Sequence, residues 1–129
     1  MSQLIVGTSN RHKLAEYQAI FSDVRLGLLS DYPPMAPVIE DAPDFIGNAV
    51  LKAKACFQHT RVPVIADDSG LEVSALGNRP GVFSARYAEG NDRDRYLKVL
   101  RELGDTDHRD ARFVCAIAIA GVPRDAKLL

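Results

Sequence analysis

The stretch VPVIADDSGLEV, residues 62–73, places two adjacent carboxylates, Asp67 and Asp68, between apolar runs. Val62, Val64 and Ile65 read as a short buried strand, which puts both aspartates at its end. Neighbouring carboxylates there repel each other and lose solvation, so a cation is expected beside them. Magnesium takes oxygen ligands, typically one or two carboxylates completed by phosphate and water. Adjacent residues of a strand point in different directions. One aspartate could therefore hold metal or activate water while the other orients a neighbour. Glu40, after a proline-rich loop, is a further carboxylate for the same place. Gly70 would let the backbone approach a ligand closely. Asp-Asp-Ser-Gly is also ordinary turn composition, and that plainer reading stands beside the catalytic one.

Two other segments could meet these carboxylates. Thr8-Ser9-Asn10-Arg11-His12-Lys13 lies between a first strand and its helix. A helix start offers free N–H groups and a partial positive charge, which suits phosphate, and Lys13 adds a point charge. The segment has no GxxxxGK[ST] pattern, and a polar helix cap would look the same. Asn48 and Lys52 are four apart and share a helical face beside the apolar stripe. They could reach a phosphate in a cleft, or Lys52 could be a lysine snorkelling at the rim of the core. Lys54 points elsewhere. A haloacid-dehalogenase phosphatase also ends a strand in carboxylates, but two residues apart rather than adjacent.

The elements that must position these groups follow from periodicity. QLIVGT reads as a strand, and SNRHKLAEYQAIF as a helix with Leu14, Tyr17 and Phe21 on one face. VRLGLL is a second strand, and three prolines within residues 33–37 make SDYPPMAP a loop. Asp44 caps a helix over 45–59 whose core face is Phe45, Ala49, Ala53, Cys56 and Phe57. VPVIA is a third strand, followed by the alternating LEVSAL and a GNRPG turn. NDRDRYLKVLREL is a helix capped by Asn91 or Asp92, with Tyr96, Leu97, Leu100 and Leu103 at helical spacing. ARFVCAIAIAG is apolar on both faces, as a central strand covered on both sides would be. GVPR is a turn, and DAKLL begins a return strand. Strands interleaved with helices make the fold α/β, bordering on α+β, with a mixed twisted sheet flanked by helices.

Composition narrows the function classes. The chain has 129 residues and a formal net charge of −1, so one domain is expected and nothing advertises a nucleic-acid partner. No apolar run approaches the roughly 18 residues of a membrane span, and the first residues do not resemble a signal peptide. Cys56 and Cys115 have no metal-ligand spacing and are expected as buried free thiols, which fits a cytoplasmic protein. His12, His59 and His108 are isolated and expected at the surface or in loops.

Taken together, TSNRHK, EDAPDFIGNAVLKA and ADDSGLEVSALGNRPGVFSARYA resemble the inosine triphosphate pyrophosphatase family. The resemblance runs from about Leu4 to Ala120. It is nearest the bacterial type, whose patterns are T-G-N-x-x-K, E-x-G-x-x-F-x-x-N-A-x-x-K-A and A-D-D-S-G-L. It implies one ITPase-like domain over 1–129 and Mg²⁺-dependent hydrolysis of non-standard purine nucleoside triphosphates (ITP, dITP, XTP) to the monophosphate and pyrophosphate. By the same resemblance, Thr8, Ser9, Asn10, Arg11, His12 and Lys13 form the triphosphate loop. Glu40 and Asp68 hold magnesium, Asp68 is the proton acceptor, and Ser69, Asn48 and Lys52 lie at the substrate. Asp67 lies beside the metal and could activate the attacking water.

Three departures accompany the match. Ser9 and Ala42 stand where the family usually has glycine. Family members also continue beyond Leu129 with an F-G-Y-D-P-x-F motif and a Ser-His-Arg motif that read the purine, and neither occurs here. The expectation is a chain truncated at its C-terminus, with a phosphate and metal site but little base recognition, self-associating as a homodimer or higher homo-oligomer. The rival expectation is a catalytically inactive nucleotide-binding or self-associating module on the same fold. The related Maf-like pyrophosphatases fit less well, because their first motif is rich in serine and arginine.

Overall fold

The computed structural model describes residues 3–123. Its sheet starts from a parallel core. Strand β1 (Gln3–Val6) pairs with β2 (Arg25–Leu28) from Gln3↔Arg25 to Val6↔Leu28, the two joined by helix α1 (Arg11–Ile20). On its other edge β1 meets the start of β3 (Val64–Val73) at Ile5↔Val64 and Val6↔Ile65, also in parallel. Helix α2 (Phe45–Thr60) makes the crossover into β3. Past that point β1 turns away while β3 runs on. Its later residues Glu72 and Val73 take the short β4 (Arg79–Pro80), whose two residues are joined by a cis bond, on the same edge. The opposite edge of β3 is filled along its full length by antiparallel β5 (Ala111–Ala120), from Val64↔Ala120 to Val73↔Ala111. The result is the mixed, twisted α/β sheet flanked by helices that the periodicity predicts.

Alternation along the strands sorts the core into two layers. Leu4, Val6 and Ile65 face α1 and pack with Tyr17, supported by Leu14, Phe21, Val24 and Leu26. Ile5 and Val64, both with no exposed surface, face α2 and pack with Cys56, Phe57, Tyr32 and Met35. Helix α2 starts where the sequence places it, and α1 starts at Arg11, two residues inside the SNRHKLAEYQAIF reading. Asn10 accepts the N–H groups of His12 and Lys13, and Asp44 Oδ1 accepts that of Gly47 at 2.7 Å. Helix α3 (Asp92–Leu103), capped by Asn91, closes the far end of β3 over Val73 and Leu76.

Four expectations are corrected. Residues 62–76 do not form strand, turn and strand: Asp67, Asp68, Ser69 and Gly70 lie inside the continuous β3. The unbroken β5 supplies a ladder partner at each of these positions, and that overrides their turn composition. Strand β5 is not covered on both sides. Its Val114, Ala116, Ala118 and Ala120 side packs beneath α2, while Phe113, Cys115, Ile117 and Ile119 are exposed on the other. Cys115 is therefore exposed, and only Cys56 is the buried thiol that was expected. In α3 the buried residue is Val99, with Tyr96 and Leu100 about half exposed. The expected return strand at 125–129 lies outside the described residues.

Candidate active site

The site begins where β1 stops. The Gly7 N–H donates to the Ile65 carbonyl at 2.8 Å, closing the parallel pairing, and the chain then leaves through Thr8 into α1. Strand β3 continues, so its next residues, Ala66, Asp67 and Asp68, lie just past the carboxyl end of parallel β1, the crevice position of an open sheet. In open α/β sheets ligands bind at such an end. Gly7 is needed there because a Cβ would stand 3.1 Å from Val64 Cγ1 and 3.3 Å from the Ala66 Cβ.

Because both aspartates are in one strand, they point to opposite faces of the sheet. Asp67 faces α1. Its Oδ2 lies 2.8 Å from Lys13 Nζ, and its Oδ1 accepts the Tyr17 hydroxyl at 3.1 Å. Asp68 faces α2. Lys52 Nζ stands 3.9 Å from Asp68 Oδ1 and 3.0 Å from Glu40 Oε1, so one ammonium bridges two carboxylates. Each aspartate thus has its own lysine, carried by the helix on its own side. The cations expected from the paired charges are Lys13 and Lys52.

Electrostatics separate the two carboxylates further. Burial raises the pKa of Asp68, and the Glu40 charge adds to the effect. The Asn48 carboxamide, Lys52 and Lys13 act in the opposite sense. Asp68 Oδ2 is buried and has no hydrogen-bond partner among the described residues. An orphaned carboxylate oxygen beside a second carboxylate, Glu40, fits a hard cation such as magnesium, which needs only one or two protein carboxylates. Tyr17 is held neutral, its pKa raised by burial and then by the charge of Asp67 and the hydrogen bond to it.

The remaining predicted residues divide by position. Thr8 Oγ1 accepts the Asn10 N–H at 3.1 Å, and Asn10 caps α1, so both shape the loop with their own side chains. Ser9, Arg11 and His12 are exposed at the head of that helix. Ser69 shares the α1 face with Lys13 and Asp67, at a cavity of about 230 Å³. Asn48 is 1% exposed, and its Oδ1 accepts the Ala42 N–H at 2.9 Å, tying the Glu40 loop to α2. Gly70 does not border the crevice: a Cβ there would meet the Gly81 carbonyl oxygen and Ser84 Oγ, each at 2.6 Å.

This geometry has counterparts of known family. The Ham1 family profile matches residues 4–128. The chain belongs to the Ham1 family. It is 46% identical over 126 residues to the dITP/XTP pyrophosphatase of Geobacillus kaustophilus strain HTA426, covering 93% of this chain and 62% of that protein. To the dITP/XTP pyrophosphatase of Staphylococcus aureus strain MW2 it is 38% identical over 130 residues, covering 99% and 67%. Among solved structures, the Staphylococcus aureus Ham1 protein matches with a TM-score of 0.85 at 38% identity, over 94% of this chain and 64% of that one. A HAM1 protein from Coxiella burnetii matches with a TM-score of 0.80 at 36% identity, over 92% and 63%. The chain therefore spans a little under two thirds of the length of the Geobacillus relative and of both solved structures.

Within this Ham1-family fold, two residues at the site escaped the sequence reading. Tyr17 reads as a core residue by periodicity, and it is one; its hydroxyl nevertheless reaches Asp67. The available signal was its place four residues after Lys13, on the same helical face. Arg86 donates to the Glu40 carbonyl at 3.4 Å from above the Phe83 ring. Nothing local to its sequence position points to Glu40, 46 residues earlier.

Proposed function

We propose that the chain is a Mg²⁺-dependent nucleoside triphosphate pyrophosphatase acting on non-standard purine nucleotides (ITP, dITP, XTP), which it hydrolyses to the monophosphate and pyrophosphate. The observation that carries this reading is the arrangement of Glu40, Lys52 and Asp68 on one side of the end of β1 and Lys13 with Asp67 on the other. Two lysines and three carboxylates gathered at the end of β1 suit a polyphosphate with its cation. Membership of the Ham1 family, and relatives named dITP/XTP pyrophosphatase, support the substrate class.

In this mechanism Glu40 and Asp68 would hold magnesium. Bound there, the ion would neutralise phosphate charge and favour attack at phosphorus. Asp68 accepts the proton of the attacking water, a role suited by the upward shift that burial gives its carboxyl. The new bond forms between the water oxygen and the α-phosphorus, and the bond to the bridging oxygen breaks as pyrophosphate leaves. Lys13, Lys52 and the 8–13 loop, including Ser9, Arg11 and His12, bind the phosphates, and Ser69 contacts the substrate. Asn48 positions the Glu40 loop and Asp68. Asp67, with both oxygens engaged, holds Lys13 in place and is not the primary base.

The same reading treats residues 1–129 as one ITPase-like domain, active in the cytoplasm, where Cys56 and Cys115 persist as free thiols. No helix among the described residues is long and apolar enough to cross a membrane. A homodimer or higher homo-oligomer is supported by the apolar row on β5 and its unpaired outer edge among the described residues. That row also favours the second reading, an inactive nucleotide-binding or self-associating module.

The deciding experiment is pyrophosphate release from dITP, XTP and dGTP with and without Mg²⁺. Release that needs Mg²⁺ and favours dITP or XTP supports the enzyme. Folded protein that releases none supports the second reading, and equal release from dGTP removes the base preference.

A further inference from the structure

We infer that Tyr17 is a positioning residue for the phosphate end of the site, acting on Lys13 through Asp67. The inference rests on the reading of Lys13 as a phosphate ligand and extends it to a residue with no phosphate-binding chemistry of its own. Three observations build it.

The first is the ring. Tyr17 is 8% exposed, packed with Leu4, Val6 and Ile65, and stacked on Phe21 with ring centroids 6.3 Å apart and planes 13° from parallel. Phenylalanine would supply that packing alone, and a buried hydroxyl is costly unless it is bonded. The second is the bond that meets this cost: the hydroxyl donates to Asp67 Oδ1 at 3.1 Å. The third is the division of Asp67. Its other oxygen, Oδ2, takes Lys13 Nζ at 2.8 Å.

Lys13 ends a flexible four-carbon stem with 30% of its side chain exposed, so it needs a fixed counter-charge if it is to present its ammonium in one place. A carboxylate held at one oxygen only can still swing about its last bond. With Tyr17 on the second oxygen, the rigid ring sets the plane of the carboxylate, and the carboxylate sets Lys13. Both donors come from α1, four residues apart, so a single helix carries the cation and the anchor of its partner. Lys13, Glu16, Tyr17, Asp67 and Ser69 are the polar lining of the cavity on the α1 face.

The test measures binding of inorganic triphosphate and of inorganic phosphate, in Mg²⁺, to the full chain and to Lys13→Ala, Tyr17→Phe, Asp67→Asn and the Tyr17→Phe/Asp67→Asn double variant. Thermal unfolding is recorded alongside. Tyr17→Phe should weaken triphosphate binding about 3- to 10-fold, the equivalent of about one hydrogen bond. It should weaken phosphate binding less, and it should add nothing once Asp67 is asparagine. The ring remains in Tyr17→Phe, so the core stays packed. A fall in Tm with triphosphate affinity unchanged would make Tyr17 merely structural and overturn the inference. So would full additivity of the two substitutions. If Lys13→Ala binds triphosphate as the unmodified chain does, or the unmodified chain binds none, the phosphate-ligand reading itself fails and takes the inference with it. A loss in Lys13→Ala without one in Tyr17→Phe sinks the inference alone.

Discussion

Asp68 is a largely buried ionisable group with an oxygen that has no partner among the described residues. Burial raises its folded pKa above the ordinary carboxyl value, so between those two values the folded chain binds the extra proton. Stability therefore falls as pH rises through that window, and at neutral pH the ionised group burdens the fold. The proposed role of Asp68 as magnesium ligand and proton acceptor gives a reason for keeping such a group. Asp68→Asn should lower Mg²⁺-dependent dITP hydrolysis at least about 100-fold, the lower range of a lost proton acceptor. In EDTA the same variant should have a higher Tm than the unmodified chain. Retained turnover would remove Asp68 from the chemistry, and a lower Tm would show that its pairing outweighs its burial. Tyr17 shifts in the same direction, but its window lies far above neutrality. Its folded pKa lies above the ordinary value of about 10, through burial and then the Asp67 charge and hydrogen bond. The neutral hydroxyl thus contributes stability that is complete below pH ~10 and lost as pH climbs beyond it. In urea titrations from pH 9 to 11, Tyr17→Phe should lose less stability than the unmodified chain. Parallel curves would mean that Tyr17 ionises as freely in the fold as out of it.

At the scale of elements, the helices and their caps were legible because their signals are local. Asn10, Asp44 and Asn91 each cap a helix through their own side chains. The continuous β3 was not legible, because what makes Asp-Asp-Ser-Gly a strand is a partner some 50 residues later in the chain. The same blindness hid the main fact of the site, that neighbouring aspartates serve opposite faces. Residue types were readable, and so was the convergence of Lys52 and Glu40 on one site; the ion pair between them and the wall between the two half-sites were not. Gly70 follows the same pattern. Read locally it is a place for a ligand, whereas in the fold it is where the 3₁₀ turn Gly81–Arg86 lies against β3. A methyl there must displace a backbone carbonyl oxygen. Gly70→Ala should therefore destabilise by about 1–3 kcal/mol, lowering the Tm by several degrees. The ligand-approach reading would instead predict weaker triphosphate binding at an unchanged Tm, and the two measurements on one variant separate them.

At the scale of the whole molecule, the two faces of the sheet are treated unequally. The α2 face is roofed by its helix across β3 and β5, whereas α1 covers β1 and β3 and leaves β5 bare. Phe113 at 72%, Ile117 at 58% and Ile119 at 42% exposure form a row there, continued by Ile20 of α1 at 74%. Single exposed apolar residues are ordinary, but an aligned row beside a strand edge that is unpaired among the described residues is the kind of surface that associates. A net charge of −1 provides little repulsion between copies. If a second copy covers this row, each large side chain buried contributes about 1.5–3 kcal/mol. Phe113→Glu with Ile117→Glu should then weaken self-association at least about 100-fold, giving monomers in sedimentation velocity at concentrations where the unmodified chain is dimeric or larger. The substituted positions lie in register with Leu71 and Asp67, so the glutamate nearest the site also brings a negative charge towards the Lys13 pair. A chain that remains oligomeric would place its contact elsewhere. A chain that becomes monomeric and retains Mg²⁺-dependent pyrophosphate release would show that the crevice at the end of β1 works within one copy.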